Sequence, residues 1–212
     1  MIDCGADWLN AVNSVSPTAI VLTHAHGDHA YGLAKGVSCP VYATDETWSV
    51  ISRFPIADRR SLTSYEPFVS GGVRFEAFPV EHSIRAPAVG YRVTADDTVF
   101  FYVPDVAEIV HRREALGGID LYIGDGATIT RSMIRRRDHM LIGHAPIATQ
   151  LDWCEAEGVT RAIFTHCGSG IVKKNPRLIE ACVKELGAEH NVDAGVAYDG
   201  LNLRLARPKR RD

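Results

Sequence analysis

IVLTHAHGDHAYGL (residues 20–33) sets His24, His26, Asp28 and His29 directly behind a run of apolar residues. In an extended segment, side chains two apart share a side, so His24 and His26 can hold one ion together. Gly27 offers a sharp turn that aims Asp28 and His29 at a second ion nearby. Imidazoles with a carboxylate suit zinc, iron or manganese. Two ions close together can hold a bridging water, lower its pKa and clamp the entering and leaving oxygens of a reaction. The segment therefore reads as half of a two-metal site.

The other half is sought at strand ends. Apolar or alternating runs recur at residues 19–23, 40–44, 73–80, 88–94, 98–103, 120–125, 161–166 and 195–205. Several are solidly apolar, as strands covered on both faces are. TADDT (residues 94–98) has the composition of a hairpin turn. Ligand-type residues follow these runs: His82 in VEHS, Asp105 in VPD, His144 in GHAPI and His166 in THCG. Sites are commonly built on loops at one edge of a rigid sheet. His111, His139 and His190 show no such placement and read as ordinary surface or core residues.

Two helices are expected. In residues 148–158, Leu151, Trp153 and Cys154 face inward and Gly158 stops the helix. In residues 175–187, Asn175 caps, Pro176 sits at the first helical position and Gly187 ends the helix. Leu178, Ile179, Cys182, Val183 and Leu186 form its apolar stripe. Many strands with few helices imply a layered α/β protein with sheets in the middle.

The 212 residues are 46% hydrophobic and 23% charged, as in an ordinary globular domain. A net charge of −3 gives no global field for nucleic acid or acidic membranes. Two basic stretches stand out, at residues 131–138 and 207–212. The five cysteines are scattered, odd in number and form no C-x-x-C, which argues against a disulfide framework and for a reducing compartment. With no long apolar run and no leader-like start, a cytoplasmic protein is expected.

THAHGDH resembles the H-x-H-x-D-H signature of the metallo-β-lactamase-fold hydrolases, and the resemblance runs through nearly the whole chain. It implies an αββα sandwich with the site at one edge of two sheets. MIDCG (residues 1–5) matches the end of an early strand, so the first sheet is expected to be shortened and to leave an open edge; pairing into a homodimer follows as an expectation. The resemblance puts His24, His26 and His82 on one metal, and Asp28, His29 and His166 on the other, with Asp105 bridging. A hydroxide between the ions is the implied nucleophile. Zinc is the favoured metal, with manganese or iron as alternatives. Residues 1–206 form the hydrolase domain and residues 207–212 a basic tail.

His144 matches the histidine that phosphodiesterase members place beside the scissile phosphate. Those members include the tRNA 3′-processing endonucleases and the phosphodiesterases of phosphoribosyl cyclic phosphate. A positioned imidazolium can stabilise charge on phosphorus or protonate a leaving alkoxide. The catalytic residues implied are His144 and Asp28, acting on a small cyclic or nucleotidic phosphodiester. The closing VAYDGLNLRL resembles the last strand of that branch. Arg131 and Arg135 are candidates for phosphate recognition, with a solvated helix face as the bland reading of their segment.

Three departures matter. The cysteine-rich zinc site of the phosphoribosyl branch has no counterpart. Residues 83–104 leave no room for a tRNA-gripping arm, so a nucleic-acid partner is not favoured. THCGSG lacks the frequent second histidine. The alternatives are a lactonase, thioesterase or β-lactamase-like hydrolase on the same site, or a non-hydrolytic metal-binding module.

Overall fold

Alternation along the strands sets the layers. In β1 (Ile20–Val21), Ile20 and the following Leu22 join one buried cluster, while Ala19 and Val21 join another. β2 (Val41–Ala43) repeats the division: Val41 and Ala43 face the first cluster and Tyr42 the second. A strand apolar at every position is thus covered on both sides. Beyond β2 runs β3 (Arg59–Ser61), parallel like its neighbours and exposed throughout. Its arginines mark it as an outer edge guarded by charge. The computed structural model describes residues 1–205; the basic tail expected at 207–212 lies outside the described residues.

The second sheet has eight strands among the described residues. They are β4 (Phe68–Ser70), β5 (Val73–Glu81), β6 (Ala88–Ala95), β7 (Thr98–Tyr102), β8 (Glu108–Ile109), β9 (Leu121–Asp125), β12 (Arg161–Thr165) and β13 (Asp193–Val196). Their order is β13-β12-β9-β7-β6-β5-β4, with β8 paired to β5. The half from β7 to β13 is parallel and the half from β4 to β7 antiparallel. A separate hairpin joins β10 (Arg135–Arg137) to β11 (Met140–Ile142).

Ala19, Val21 and Tyr42 of the small sheet pack on Ala77, Val89, Tyr91 and Val93 of the large one. Helices cover the outer faces. α3 (Asp45–Val50), begun by its Thr44 cap, brings Trp48 onto the small sheet. α5 (Ile147–Ala156) and α7 (Pro176–Glu189) bring Ile147, Leu151, Trp153, Ile179 and Val183 onto the large one. Short helices α1 (Val12–Val15), α2 (Gly27–Ala30), α4 (Arg112–Leu116) and α6 (Ser169–Val172) complete the set. This is the αββα sandwich that was expected.

Several details differ from the sequence reading. Residues 1–3 extend the small sheet by a single bridge rather than a full strand: Met1 and Asp3 exchange backbone hydrogen bonds with Val21, and Ile2 bridges to it. In α7, Leu178 and Cys182 point to solvent, and the helix runs past Gly187, which packs tightly on Ala194. Only the start of residues 195–205 is strand; β13 stops at Val196, and Asp199–Gly200 form a turn. None of the basic segment 131–138 is helical: Arg135–Arg137 form the first strand of a hairpin, and residues 131–134 run without regular structure. No helix among the described residues is long and apolar enough to cross a membrane.

Candidate metal centre

The ligand-type residues converge at one end of the sandwich, where the two sheets meet. His24, His26, His82 and Asp105 each offer an atom within 4.8 Å of the others. Asp28, His29 and His166 form a second such group. Asp105 joins the two. Its Oδ2 lies 3.3 Å from His24 Nε2, 3.4 Å from His82 Nε2 and 3.2 Å from His29 Nε2. Its Oδ1 lies 2.8 Å from His166 Nδ1.

Local structure aims these groups. His24 and His26 sit on the extended chain leaving β1, with Nε2 and Nδ1 facing each other at 2.9 Å. The chain then enters α2, whose first turn carries Asp28 and His29. The turn needs no special freedom at Gly27: its φ is ordinary, and a Cβ there would meet nothing closer than 3.9 Å. The glycine that matters is Gly5, where a Cβ would overlap the Asp28 carbonyl. MIDCG therefore lies directly against the metal-ligand turn.

Outer hydrogen bonds fix which ring nitrogen faces inward. His82 Nδ1 lies 3.0 Å from the Gly143 carbonyl, so it donates and leaves the Nε2 lone pair pointing into the site. His29 Nδ1 donates to Asp3 Oδ2 at 2.8 Å, with the same result. His24 Nδ1 lies 3.0 Å from the Thr23 hydroxyl, which itself donates to Asp3. Asp3 also accepts from the Thr23 amide at 2.7 Å and is held in a left-handed conformation, φ 58°. One buried carboxylate thus orients a ligand in each group. Asp3 and Thr23 escaped the sequence reading because they act on the ligand histidines from behind rather than on an ion; only the presence of Asp3 in MIDCG hinted at it.

The electrostatics suit cations. Burial would raise the Asp105 carboxyl, but the surrounding imidazoles hold it well below the usual range. Burial pushes His82 down to about 4, against the pull of Asp105. Burial, then the charge of His24, lowers His26. Burial also acts on His29, but Asp105 and Asp3 outweigh it and raise the ring to about 10. Contact with Asp105 lifts His166 to about 9 in spite of burial. Of the four buried side-chain polar atoms that lack a partner in hydrogen-bond geometry among the described residues, three lie here: His29 Nε2, Asp105 Oδ1 and His166 Nδ1. Orphaned polar atoms are costly singly and rarer still in one cluster. All three face inward among nitrogen and carboxylate ligands, so the donor set fits two divalent cations.

His144 stands beside this cluster. Its ring lies 5.0 Å from that of His82 and is stacked at 6.1 Å on that of His166. Its Nδ1 donates to Asp125 Oδ2 at 2.7 Å. Asp125 is fully buried at the end of β9 and also accepts from the Val106 and Ala127 amides. Burial raises its carboxyl even against the pull of His144. Burial opposes charge on His144, yet the bond to Asp125 raises it overall. Asp125 is the third residue the sequence reading missed. Its signal was present: an acid closing an apolar strand, as Asp105 does.

A cleft of about 720 Å³ opens from His144 and His166. Arg131 lines it, together with Lys174. Arg135 does not; it lies exposed on β10. Asp28 sits at the exposed rim of the second ligand group. Cys167 borders the cleft with its thiol against the Phe164 carbonyl, raised by burial. His111 and His190 pair with carboxylates elsewhere, as ordinary residues do.

The profile of a family described as "Beta-lactamase superfamily domain" matches residues 1–167. A search of curated proteins gave no match. Solved structures are similar throughout. One, described as a new diphosphatase from the PhnP family, is 21% identical, with a TM-score of 0.68, over 97% of this chain and 79% of that one. YhfI from Bacillus subtilis, a metallo-β-lactamase fold protein, is 14% identical, with a TM-score of 0.68, over 94% and 85%. The short form of human tRNase Z is 18% identical, with a TM-score of 0.56, over 80% and 82%. At these identities the likeness speaks to the fold.

Proposed function

The chain belongs to the metallo-β-lactamase superfamily, and from that premise we propose that it is a dinuclear-metal phosphodiesterase acting on a small cyclic or nucleotidic phosphodiester. One observation carries the phosphodiesterase reading: His144, its Nδ1 tied at 2.7 Å to buried Asp125, stands over the same cleft as His166. The similarity to a diphosphatase of the PhnP family and to human tRNase Z supports it as analogy.

In this reading His24, His26 and His82 would hold one cation and Asp28, His29 and His166 the other, with Asp105 available to both. Zinc is the favoured metal. The pair would supply activated water at neutral pH and offset charge on the phosphoryl oxygens. The remaining work falls to the chain's own residues. Asp125 keeps the proton of His144 on Nδ1 and favours the imidazolium, so a second proton sits on Nε2 facing the cleft. From there His144 neutralises charge on a phosphoryl oxygen and protonates the departing alkoxide. Asp3 and Thr23 hold His24 and His29 in register.

The test is His144→Ala with metal content measured alongside. General acid groups contribute ~10²–10⁴-fold, so kcat for a phosphodiester falls by that order while both metals stay bound. Unchanged turnover by a fully metallated variant overturns the reading.

A further inference from the structure

We propose that Gln150 is the positioning residue of the His144–Asp125 pair: its buried amide holds Asp125 and the chain beside His144 in fixed relation. The inference rests on the reading of His144 as a proton donor and extends it to a residue that acts only through that pair.

The need for Gln150 begins with β7, which leaves the large sheet early. β7 pairs with β9 as far as Tyr102 and Ile123, and Val103 N donates to Ile123 O at 2.8 Å. The chain then bends at Pro104 and carries Asp105 to the metal-ligand group. β9 runs on to Asp125. Backbone groups of alternate residues face the same neighbouring strand, so those of Asp125 face the side that β7 has left. Asp125 is fully buried, and buried backbone groups need partners. Gln150 supplies them. Asp125 N donates to Gln150 Oε1 at 2.9 Å, and Gln150 Nε2 donates to Asp125 O at 2.7 Å. The side-chain amide thus stands in for the strand residue that β7 does not provide.

The same amide reaches the other partner of the pair. Gln150 Nε2 also donates to Ala145 O at 2.9 Å, directly after His144, and Gln150 Oε1 also accepts from the Tyr122 hydroxyl at 2.9 Å. Both donors and both acceptor sites are used, which leaves the amide one orientation. Gln150 is fully buried at the end of the first turn of α5, the helix into which the His144 segment runs. Gly124 keeps its slot open, since a Cβ there would overlap both Gln150 Oε1 and the Tyr122 ring. The 2.7 Å hydrogen bond from His144 Nδ1 to Asp125 Oδ2 is therefore framed by one side chain that grips the main chain at both of its ends. An apolar side chain could fill this volume, but only a fully bonded polar group fixes the two segments against each other.

The experiment uses Gln150→Met, of similar length and volume, and Gln150→Glu, which keeps the acceptor oxygen and supplies at most one of the two donors. Both are loaded with zinc and their metal content is measured. Kinetics compare uridine 2′,3′-cyclic phosphate, whose alkoxide needs a proton to leave, with bis-p-nitrophenyl phosphate, whose phenolate leaves without one. Proton NMR follows the His144 Nδ1–H signal, identified by its absence in His144→Ala. In Gln150→Met, kcat for the cyclic phosphate falls about 10–100-fold with KM within about twofold, and the loss for the aryl diester is about fivefold smaller or less. The Nδ1–H signal shifts or is lost to exchange. Gln150→Glu lies between this variant and the wild type, and decides alone if Gln150→Met does not fold. A merely structural role lowers both substrates alike and leaves the signal of the folded protein in place. Equal losses, no loss, or an unmoved signal overturn the proposal. Failure of both variants to fold also overturns it, because the fold alone then accounts for the side chain. If the wild type leaves the cyclic phosphate intact, the His144 signal decides: movement in the variants upholds the positioning role, and constancy overturns it. If it leaves both diesters intact, the phosphodiesterase reading fails on its own, and the signal decides in the same way.

Discussion

In the proposed reaction, Asp125 is the residue on which His144 would depend most directly, through their 2.7 Å hydrogen bond. Its buried carboxylate fixes the tautomer and favours the charged ring. Asp125→Asn keeps the shape and loses the charge, so kcat should fall by about 10–100-fold with metal content intact, a loss typical of removed outer partners. Steady-state kinetics beside metal analysis checks this. The sign of the pH effect follows from the raised pKa of His144. Activity that needs its proton persists through the ordinary histidine range near 6.5 and declines only above it. A pH–rate profile should show that alkaline limb in the wild type and lose it in His144→Ala. The direct metal-ligand candidates were legible in the sequence because the side-chain type itself carries the chemistry. Asp3, Thr23 and Asp125 were not, because they act through another residue, and only the fold says which one.

At the level of elements, the sequence placed the strands and the two long helices well but misjudged why certain turns exist. Gly27 looked like the hinge of the metal-ligand turn; the turn is a helical one that any residue can enter, and the tight contact is at Gly5. Gly27→Ala should therefore change stability by no more than about 1 kcal/mol. Gly5→Ala must displace the Asp28 carbonyl and should cost up to about 3 kcal/mol, as overpacking does, with loss of bound metal. Denaturant melts of both variants distinguish the two positions. α7 makes the same point: its stripe was read by period, but Leu178 and Cys182 point outward because the sheet beneath is reached mainly by Ile179 and Val183. Leu178→Ala should fall within about 0.5 kcal/mol of the wild type, against about 2–5 kcal/mol for Ile179→Ala.

At the scale of the whole molecule, the αββα layering was foreshadowed by strands apolar at every position, which only two covered faces explain. The register of residues 1–3 on β1 was not legible, because it depends on pairing with Val21 rather than on composition. The candidate metal centre gathers residues from both sheets, from His24 behind β1 to His166 behind β12, so cations bound there would act as a clamp between layers. Ligands that bind only the folded state stabilise it by mass action, about 2.7 kcal/mol at a hundredfold excess over Kd. For a chain of this size that raises Tm by roughly 5–10 °C. Calorimetry of metal-loaded and chelator-treated protein should show the shift.

The most direct test of the account is hydrolysis of bis-p-nitrophenyl phosphate, run beside a lactone, a thioester and nitrocefin on protein of measured metal content. The account predicts turnover of the phosphodiester at about two metals per chain. A fully metallated protein that leaves the phosphodiester intact and cleaves the lactone, thioester or lactam instead would contradict it, and would reduce His144 to a residue that only supports its neighbours.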